Sequence, residues 1–251
     1  MTKTVFITGA TAGFGKATAE LFAKNGYNLI ITGRRKERLT TLTNKLSTEY
    51  NVEVTPLCFD VRNNDEVVSA INSLTNKNID ILVNNAGLAS GLNKIQDGLL
   101  DDWEKMIDTN IKGLLYVSKA IIPLMINNNS GHIINIGSTA GKEVYMNGNV
   151  YCATKHAVNA LSKAMRIELL EYGIKVSQVC PGAAETEFSE VRLYGDKEKA
   201  KKVYDGYEPM TAEDIASIIY YVGTLPPNLC INDLVVTSMA QANSFYINKE
   251  N

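Results

Sequence analysis

Tyr151 and Lys155, in the run Tyr-Cys-Ala-Thr-Lys, are the residue pair in this sequence best suited to chemistry. They stand four apart where a long helical pattern begins, so both side chains fall on one face, one turn apart. A phenol is a poor base near neutrality because its ordinary pKa is about 10. An ammonium about 4 Å away, at an effective dielectric of about 20, is worth roughly 4 kcal/mol. That lowers a phenol by on the order of three pKa units before desolvation opposes it, and a second cation nearby lowers it further. The expected product is a proton-transfer group that works near pH 7. Ser138 ends the apolar run Ile133-Ile134-Asn135-Ile136-Gly137-Ser138, a buried strand by pattern, and can join the same space. Two unrelated helix residues give the same spacing, so the rest of the chain decides the meaning of Tyr-x-x-x-Lys.

The elements that must hold these groups follow from the apolar pattern. Strand-like runs cover about 3–8, 28–32, 52–59, 79–83, 132–136, 174–179 and 234–237. Helical patterns lie between them at about 16–25, 36–49, 65–74, 101–127, 151–171 and 211–222, with Pro123 a kink near the end of the fourth. The strands are apolar nearly throughout, which means a parallel sheet covered on both faces. With no linker and no internal repeat, 1–251 reads as one α/β domain. It is a single doubly wound, Rossmann-type sheet of about seven strands. Residues 183–210 are charged and irregular, a stretch of short helices. Ligands of such a sheet bind at the carboxyl ends of its strands, where nearly every notable motif falls.

Gly9, Gly13 and Gly15 lie between the first strand and the first helix. Glycines there let the backbone turn and approach a pyrophosphate seated on the helix N-terminus. A triphosphate-binding loop needs Gly-x4-Gly-Lys-Ser/Thr; here Ala10 and Ala17 stand at its first and last positions. After the second strand, an NAD site would place an acidic residue for the ribose hydroxyl. This chain has Gly33-Arg34-Arg35, and two guanidiniums match a 2′-phosphate. No acidic residue adjoins them in sequence, and Thr11 can add a hydroxyl. A solvated basic helix start is the other reading, since Lys36 and Arg38 continue the charge. Asp60-Val61 can hold an adenine, the carboxylate on its amine and Val61 on the ring, or Asp60 can simply cap a turn. Asn84-Asn85-Ala86-Gly87 ends the fourth strand as a plain turn or as a wall for a ligand. Asn110 interrupts the long helix with Gly113 close by and marks a local kink.

Together these pieces resemble the short-chain dehydrogenase/reductase family. They are Thr8-Gly9-x3-Gly13-x-Gly15, Asp60-Val61, Asn84-Asn85-Ala86-Gly87, Asn110, Ser138, Tyr151-x3-Lys155 and Pro181-Gly182-x3-Thr186. They occur in family order at family spacings, across residues 3 to about 240. The resemblance implies a catalytic tetrad of Asn110, Ser138, Tyr151 and Lys155. In it Tyr151 takes the hydroxyl proton and Lys155 tunes Tyr151 and holds the nicotinamide ribose. Ser138 bonds the reacting oxygen, and Asn110 orders a water that links Lys155 to solvent. It implies a cofactor site of Gly9, Thr11, Gly13, Phe14, Gly15, Arg34, Arg35, Asp60, Val61, Asn84, Ala86, Gly87, Tyr151, Lys155, Pro181, Gly182 and Thr186. Gly9-Ala10-Thr11-Ala12-Gly13-Phe14-Gly15, Thr32-Gly33-Arg34-Arg35, Ile136–Gly141 and Thr186-Glu187-Phe188-Ser189-x-Val191-Arg192 are similar to the NADP-dependent 3-hydroxy acid dehydrogenases, which act on serine, allo-threonine and related acids. Lys142-Glu143 and Val144 depart from that pattern where the chain should border the substrate.

The implied activity is NADP-dependent oxidation of a small 3-hydroxy acid, or reduction of the matching semialdehyde. The rival is reduction of another carbonyl: a 3-oxoacyl thioester, a sugar, or a small aldehyde or ketone. A cofactor-sensing module without chemistry is the remaining class. A carboxylate substrate needs a cation, because an unpaired buried carboxylate is costly. Lys155 is committed elsewhere, so Arg192, in the segment that covers the substrate in this family, joins Ser138 and Tyr151 as the substrate contacts. Glu187 or Glu190 could claim Arg192 instead.

A net charge of −2 gives no reason to expect nucleic acid or a membrane surface as partner. Cys58, Cys152, Cys180 and Cys230 lie far apart beside apolar runs, so we expect them reduced and buried, as in a cytoplasmic protein. Two histidines and no Cys/His cluster argue against a metal site. The chain enters its first strand at once, with no signal-peptide pattern. The helices at 101–127 and 151–171 carry apolar residues on more than one side: Leu114, Leu115, Ile121 and Ile122, then Val158, Leu161, Met165 and Leu169. Relatives use these two helices to dimerise, which implies a homotetramer.

Overall fold

In a computed structural model that describes residues 2–249, seven strands form one parallel sheet in the order β3-β2-β1-β4-β5-β6-β7. They are β1 (Thr4–Ile7), β2 (Asn28–Gly33), β3 (Val54–Cys58), β4 (Ile81–Asn84), β5 (Gly131–Ile136), β6 (Ile174–Pro181) and β7 (Asp233–Val236). Side chains alternate across a strand, and this alternation divides the core in two. Val5, Ile7, Ile31, Val83 and Ile134 face one layer with Phe22, Leu39 and Ile219. Phe6, Ile30, Leu82 and Ile133 face the other with Val67, Ile121, Met125 and Val158. The first layer is covered by α1 (Gly13–Lys24), α2 (Lys36–Tyr50) and α9 (Ala212–Gly223). The second is covered by α3 (Asn64–Asn72), α5 (Leu114–Asn127) and α6 (Asn149–Glu168). Strand order reverses between β1 and β4, and a crevice opens at their carboxyl ends.

The helix expected at 101–127 is α4 (Leu100–Ile107) and α5 joined by a π-helical stretch at Asp108–Gly113. The kink expected at Asn110 is this wider turn. Gly113 lies against Val61 so closely that a β-carbon would stand 2.7 Å from its methyl group. The charged stretch after β6 holds α7 (Glu187–Arg192) and α8 (Lys197–Lys202), short helices as expected. Thr186 caps α7 by accepting from the Phe188 amide at 3.2 Å.

The burial of α5 and α6 narrows the expected second apolar face. Leu114, Ile121, Val158, Met165 and Leu169 all pack on the chain's own sheet. Leu115 on α5 and Ile167 on α6 are the large apolar side chains of these helices left exposed. Two cysteines also differ from expectation: Cys58 and Cys230 are exposed, Cys152 and Cys180 buried, and all four are free. Cys58 ends an edge strand and Cys230 sits in the loop before β7. No helix among the described residues is long and apolar enough to cross a membrane.

Candidate active site

A cleft of about 550 Å³ opens at the switch point between β1 and β4. Ser138 stands just past β5, Tyr151 and Lys155 on the first turns of α6, and all three line it. Tyr151 and Lys155 are buried, and the Lys155 ammonium donates to the Ile136 carbonyl at 2.9 Å. It lies 5.9 Å from the centre of the Tyr151 ring. Ser138 turns its oxygen to the Ala140 amide at 3.1 Å, which fixes the hydroxyl at the strand end.

The electrostatics depart from the expected pair. Burial pushes the Tyr151 phenol well above its ordinary range, the nearby Tyr145 phenol adds to this, and the Ser138 hydrogen bond and the Arg192 charge pull against it. Burial also lowers Lys155, to about 8. The protein's own groups therefore do not bring the phenol near pH 7 through Lys155, because both partners are desolvated together. The second cation is Arg192, whose guanidinium lies 5.6 Å from the Tyr151 ring centre.

Asn110 stands one layer behind the cleft. Its amide donates to the Leu88 carbonyl at 2.8 Å and to Thr154 Oγ1 at 3.0 Å, and it accepts from the Leu88 amide at 2.9 Å. These bonds tie the loop after β4 to α6 through the π turn, which aims the asparagine where a regular helix would not. Gly87 is the seam: a β-carbon there would meet Asn110 Oδ1 at 3.3 Å and Lys155 Nζ at 3.6 Å.

The cofactor half of the cleft is built on glycine. Gly9 and Gly13 take left-handed backbone angles, φ +66° and +49°, which favour a residue without a β-carbon. Gly9, Thr11, Gly13, Phe14, Arg34, Arg35, Asp60, Val61, Ala86, Gly87, Pro181, Gly182 and Thr186 line the cleft as expected. Two expected contacts do not. Gly15 is buried behind the loop, where a β-carbon would fall 2.4 Å from both Asn85 Nδ2 and the Gly9 carbonyl; its role is close packing of α1. Asn84 is in phase with Leu82 on β4 and so points into the helix layer. There it donates to Ser118 Oγ at 3.0 Å and Asn135 Oδ1 at 2.9 Å. Asn85 lines the cleft in its place and donates to the Thr8 carbonyl at 2.8 Å, while Thr8 Oγ1 accepts from the Asn85 and Ala86 amides, each at 2.9 Å.

Arg34 and Arg35 have acidic neighbours after all, brought from distant parts of the chain. Arg34 lies 3.5 Å from Asp60, which Arg62 also holds at 2.6 Å. Burial works to raise the Asp60 carboxyl; the Arg62 bonds and the Arg34 charge outweigh it and keep it below the carboxylate range. Arg35 donates to Thr11 Oγ1 at 3.1 Å and to Glu187 at 2.9 Å, and Arg38 reaches the same Glu187 at 2.6 Å.

Over the opposite end of the cleft lies the segment from Glu187 to Gly195. Arg192 donates to Tyr145 Oη at 2.9 Å and to the Gly91 carbonyl at 3.4 Å, and its own carbonyl accepts from the Gly91 amide at 2.9 Å. Neither Glu187 nor Glu190 claims it. Tyr194 donates to the buried Asp102 carboxylate at 2.5 Å, which Ser90 also contacts at 2.6 Å. Tyr145 and Phe188 are the site residues that sequence reasoning missed; the Phe188 ring packs on Tyr151 with centres 5.5 Å apart. Tyr145 lies in a loop and carries no periodic signal, and it directly follows the departures already noted; the helix that holds Phe188 is too short to show a period. Those departures are structural: Lys142 pairs with Asp233 on β7, and Glu143 accepts from the Ser244 amide at 2.8 Å. The tail they hold adds Gln241, Ser244 and Ile247 to the cleft wall.

Residues 3–194 match the family model for short chain dehydrogenases. The chain belongs to the short-chain dehydrogenase family. The NADP-dependent 3-hydroxy acid dehydrogenase YdfG of Salmonella typhi is 46% identical over 241 residues, 95% of this chain and 96% of that protein. Sulfoacetaldehyde reductase 2 of Chromohalobacter salexigens is 44% identical over 249 residues, 98% of each chain. The closed form of serine dehydrogenase complexed with NADP⁺ aligns with a TM-score of 0.91 at 43% identity, covering 96% of this chain and 97% of that one. The glycine-lined half of the cleft suits a dinucleotide.

Proposed function

We propose that the protein is an NADP-dependent dehydrogenase of small 3-hydroxy acids, of the serine, allo-threonine, 3-hydroxypropionate or 3-hydroxyisobutyrate type, also able to reduce the matching semialdehyde. The observation that carries the substrate half is the guanidinium of Arg192 beside the Tyr151 ring, free of any carboxylate among the described residues. A planar guanidinium takes a carboxylate with two parallel hydrogen bonds and so fixes the substrate's orientation. Thr11, Arg34, Arg35 and Arg38 supply the donors for a 2′-phosphate, and Gly9 and Gly13 give the bare backbone a pyrophosphate needs.

The bound cofactor supplies the hydride acceptor. Tyr151 takes the hydroxyl proton of the substrate as hydride leaves its carbon. The high phenol pKa means that oxidation runs faster as pH rises, because more of Tyr151 is then phenolate. Ser138 donates to the same substrate oxygen, an oxyanion-type role. Lys155, held against Ile136, presents its charge to the phenol and to the cofactor ribose. Asn110 positions: it locks Leu88 and the wall that Gly87 begins.

A second reading is favoured by the sulfoacetaldehyde reductase relative. A sulfonate likewise presents anionic acceptor oxygens, two of which can face the N–H donors of Arg192 in the same way. The deciding experiment offers NADP⁺ or NAD⁺ with serine and small 3-hydroxy acids, and NADPH with sulfoacetaldehyde and 3-oxoacyl thioesters. We expect turnover of the hydroxy acids, with NADP⁺ preferred by about tenfold to a hundredfold. Best turnover of a 3-oxoacyl thioester overturns the reading. The four free cysteines, two of them exposed, support a reducing compartment such as the cytoplasm. Leu115 and Ile167 on the outer sides of α5 and α6 support self-association to a homotetramer, which light scattering at micromolar concentration refutes if it finds only monomer.

A further inference from the structure

Glu187 carries one carboxylate to two guanidiniums at once, Arg35 at 2.9 Å and Arg38 at 2.6 Å. These belong to the start of α2, across the cleft mouth from α7 and about 150 residues away in sequence. The contact is not an accident of a loose side chain. Thr186 caps α7 and packs against Gly13, where a β-carbon would lie 3.5 Å from Thr186 Cβ, so the residue after it is delivered to a fixed place. The two arginine bonds outweigh burial and hold the Glu187 carboxyl below its ordinary range, so it is anionic at neutral pH. The next residue, Phe188, rests on the catalytic ring of Tyr151.

An anion is therefore already bound by the donors that best suit a 2′-phosphate, and it is part of the segment that carries Arg192. We propose that Glu187 is an internal competitor of the 2′-phosphate. Cofactor bearing that phosphate takes Arg35 and Arg38 from Glu187, and in doing so unties the N-terminal end of the lid. Two consequences follow from charge alone. Affinity for the phosphate is set below what the arginines could give, which lets the cofactor leave. Lid mobility then depends on the 2′-phosphate and not on the rest of the dinucleotide. The C-terminal end of the lid, held by Gly91 and by Asp102 through Tyr194, keeps its place.

The inference rests on the NADP reading, and its test separates the two. The probes are 2′,5′-ADP and AMP, titrated by calorimetry into the wild type and Glu187→Gln, with hydrogen exchange of residues 187–192 as the second readout. Glu187 is exposed at the cleft rim, so the variant is expected to fold, and circular dichroism checks it. We expect Glu187→Gln to bind 2′,5′-ADP about threefold to tenfold more tightly and AMP unchanged, as for two partly exposed ion pairs released. In the wild type 2′,5′-ADP should speed exchange at 187–192 and AMP should not; in Glu187→Gln exchange there should already be fast without ligand. Equal or weaker 2′,5′-ADP binding by the variant, or slower exchange at 187–192 when the wild type binds it, overturns the competitor role and leaves the NADP reading standing. Equal affinity of the wild type for AMP and 2′,5′-ADP overturns both.

Discussion

Ser138, Tyr151 and Lys155 rise from the end of β5 and from α6, whereas Glu187 and Arg192 reach the same cleft from a six-residue helix at the surface, and Tyr194 ties down the turn after it. On the floor, the groups around Tyr151 are held by backbone atoms in a closed layer: Lys155 by the Ile136 carbonyl, Ser138 by the Ala140 amide, and Asn110 by both polar atoms of Leu88. On the lid, the ties are mainly side chain to side chain and partly exposed: Glu187 to two arginines, Arg192 to Tyr145, Tyr194 to Asp102. Buried backbone bonds are expensive to break because no water waits to replace them, and exposed ion pairs exchange with solvent at little cost. The floor is thus built to keep geometry and the lid to give it up and regain it. Changes on the floor should strike kcat, and changes on the lid should strike KM.

The sharpest test of the floor is Tyr151→Phe. The ring remains to pack on Phe188, so fold and cofactor binding should persist while kcat falls by about 10²–10⁴. Near wild-type turnover by a folded Tyr151→Phe protein breaks the comparison, since the proton would then be moving elsewhere. On the lid, Arg192→Met should raise KM for the hydroxy acid about tenfold to a hundredfold, with NADP⁺ affinity nearly unchanged. A fall in kcat at constant KM would place Arg192 on the floor's side of the division. The smallest effect concerns how firmly the floor is held. His132 on β5 is buried, and burial, helped by the Lys175 charge, lowers it from 6.5 to about 3. Below pH 6.5 the unfolded chain takes up a proton that the folded chain refuses until about pH 3. Its contribution is therefore complete above pH 6.5 and is lost as pH falls through that window, at roughly 1.4 kcal/mol per pH unit. Between pH 7.5 and 5.5, urea midpoints of the wild type should fall more than those of His132→Gln; equal shifts would show that this strand is not what acid loosens.

The parallel sheet was legible because its five central strands, β1, β2, β4, β5 and β6, are runs buried on both faces, and they stand within a few residues of where the pattern puts them. Asn84 was misplaced for a simple reason. A run of two amides before Ala86-Gly87 looks like a turn, but the strand continues through Asn84, and its phase with Leu82 sends the side chain inward. Arg34 and Arg35 line the cleft, yet Glu187 and Asp60 came to them from elsewhere in the chain. Tyr145 gave no signal, because a loop aromatic obeys no period, and Phe188, on the short α7, showed only as part of a motif; their contacts reveal their tasks.

Residue type and spacing by themselves determined the class of sheet, the Tyr151–Lys155 pair on one helix face, the glycine loop and the cationic start of α2. These are local facts, encoded within a turn or two of the chain. The tertiary structure alone decided which charge faces which. Burial raised the phenol that Lys155 was expected to acidify, set Arg192 beside Tyr151, and gave Glu187 to Arg35 and Arg38. Electrostatic energy depends on distance and on exclusion of water. Both are properties of the packed chain, and neither can be read from the order of its residues.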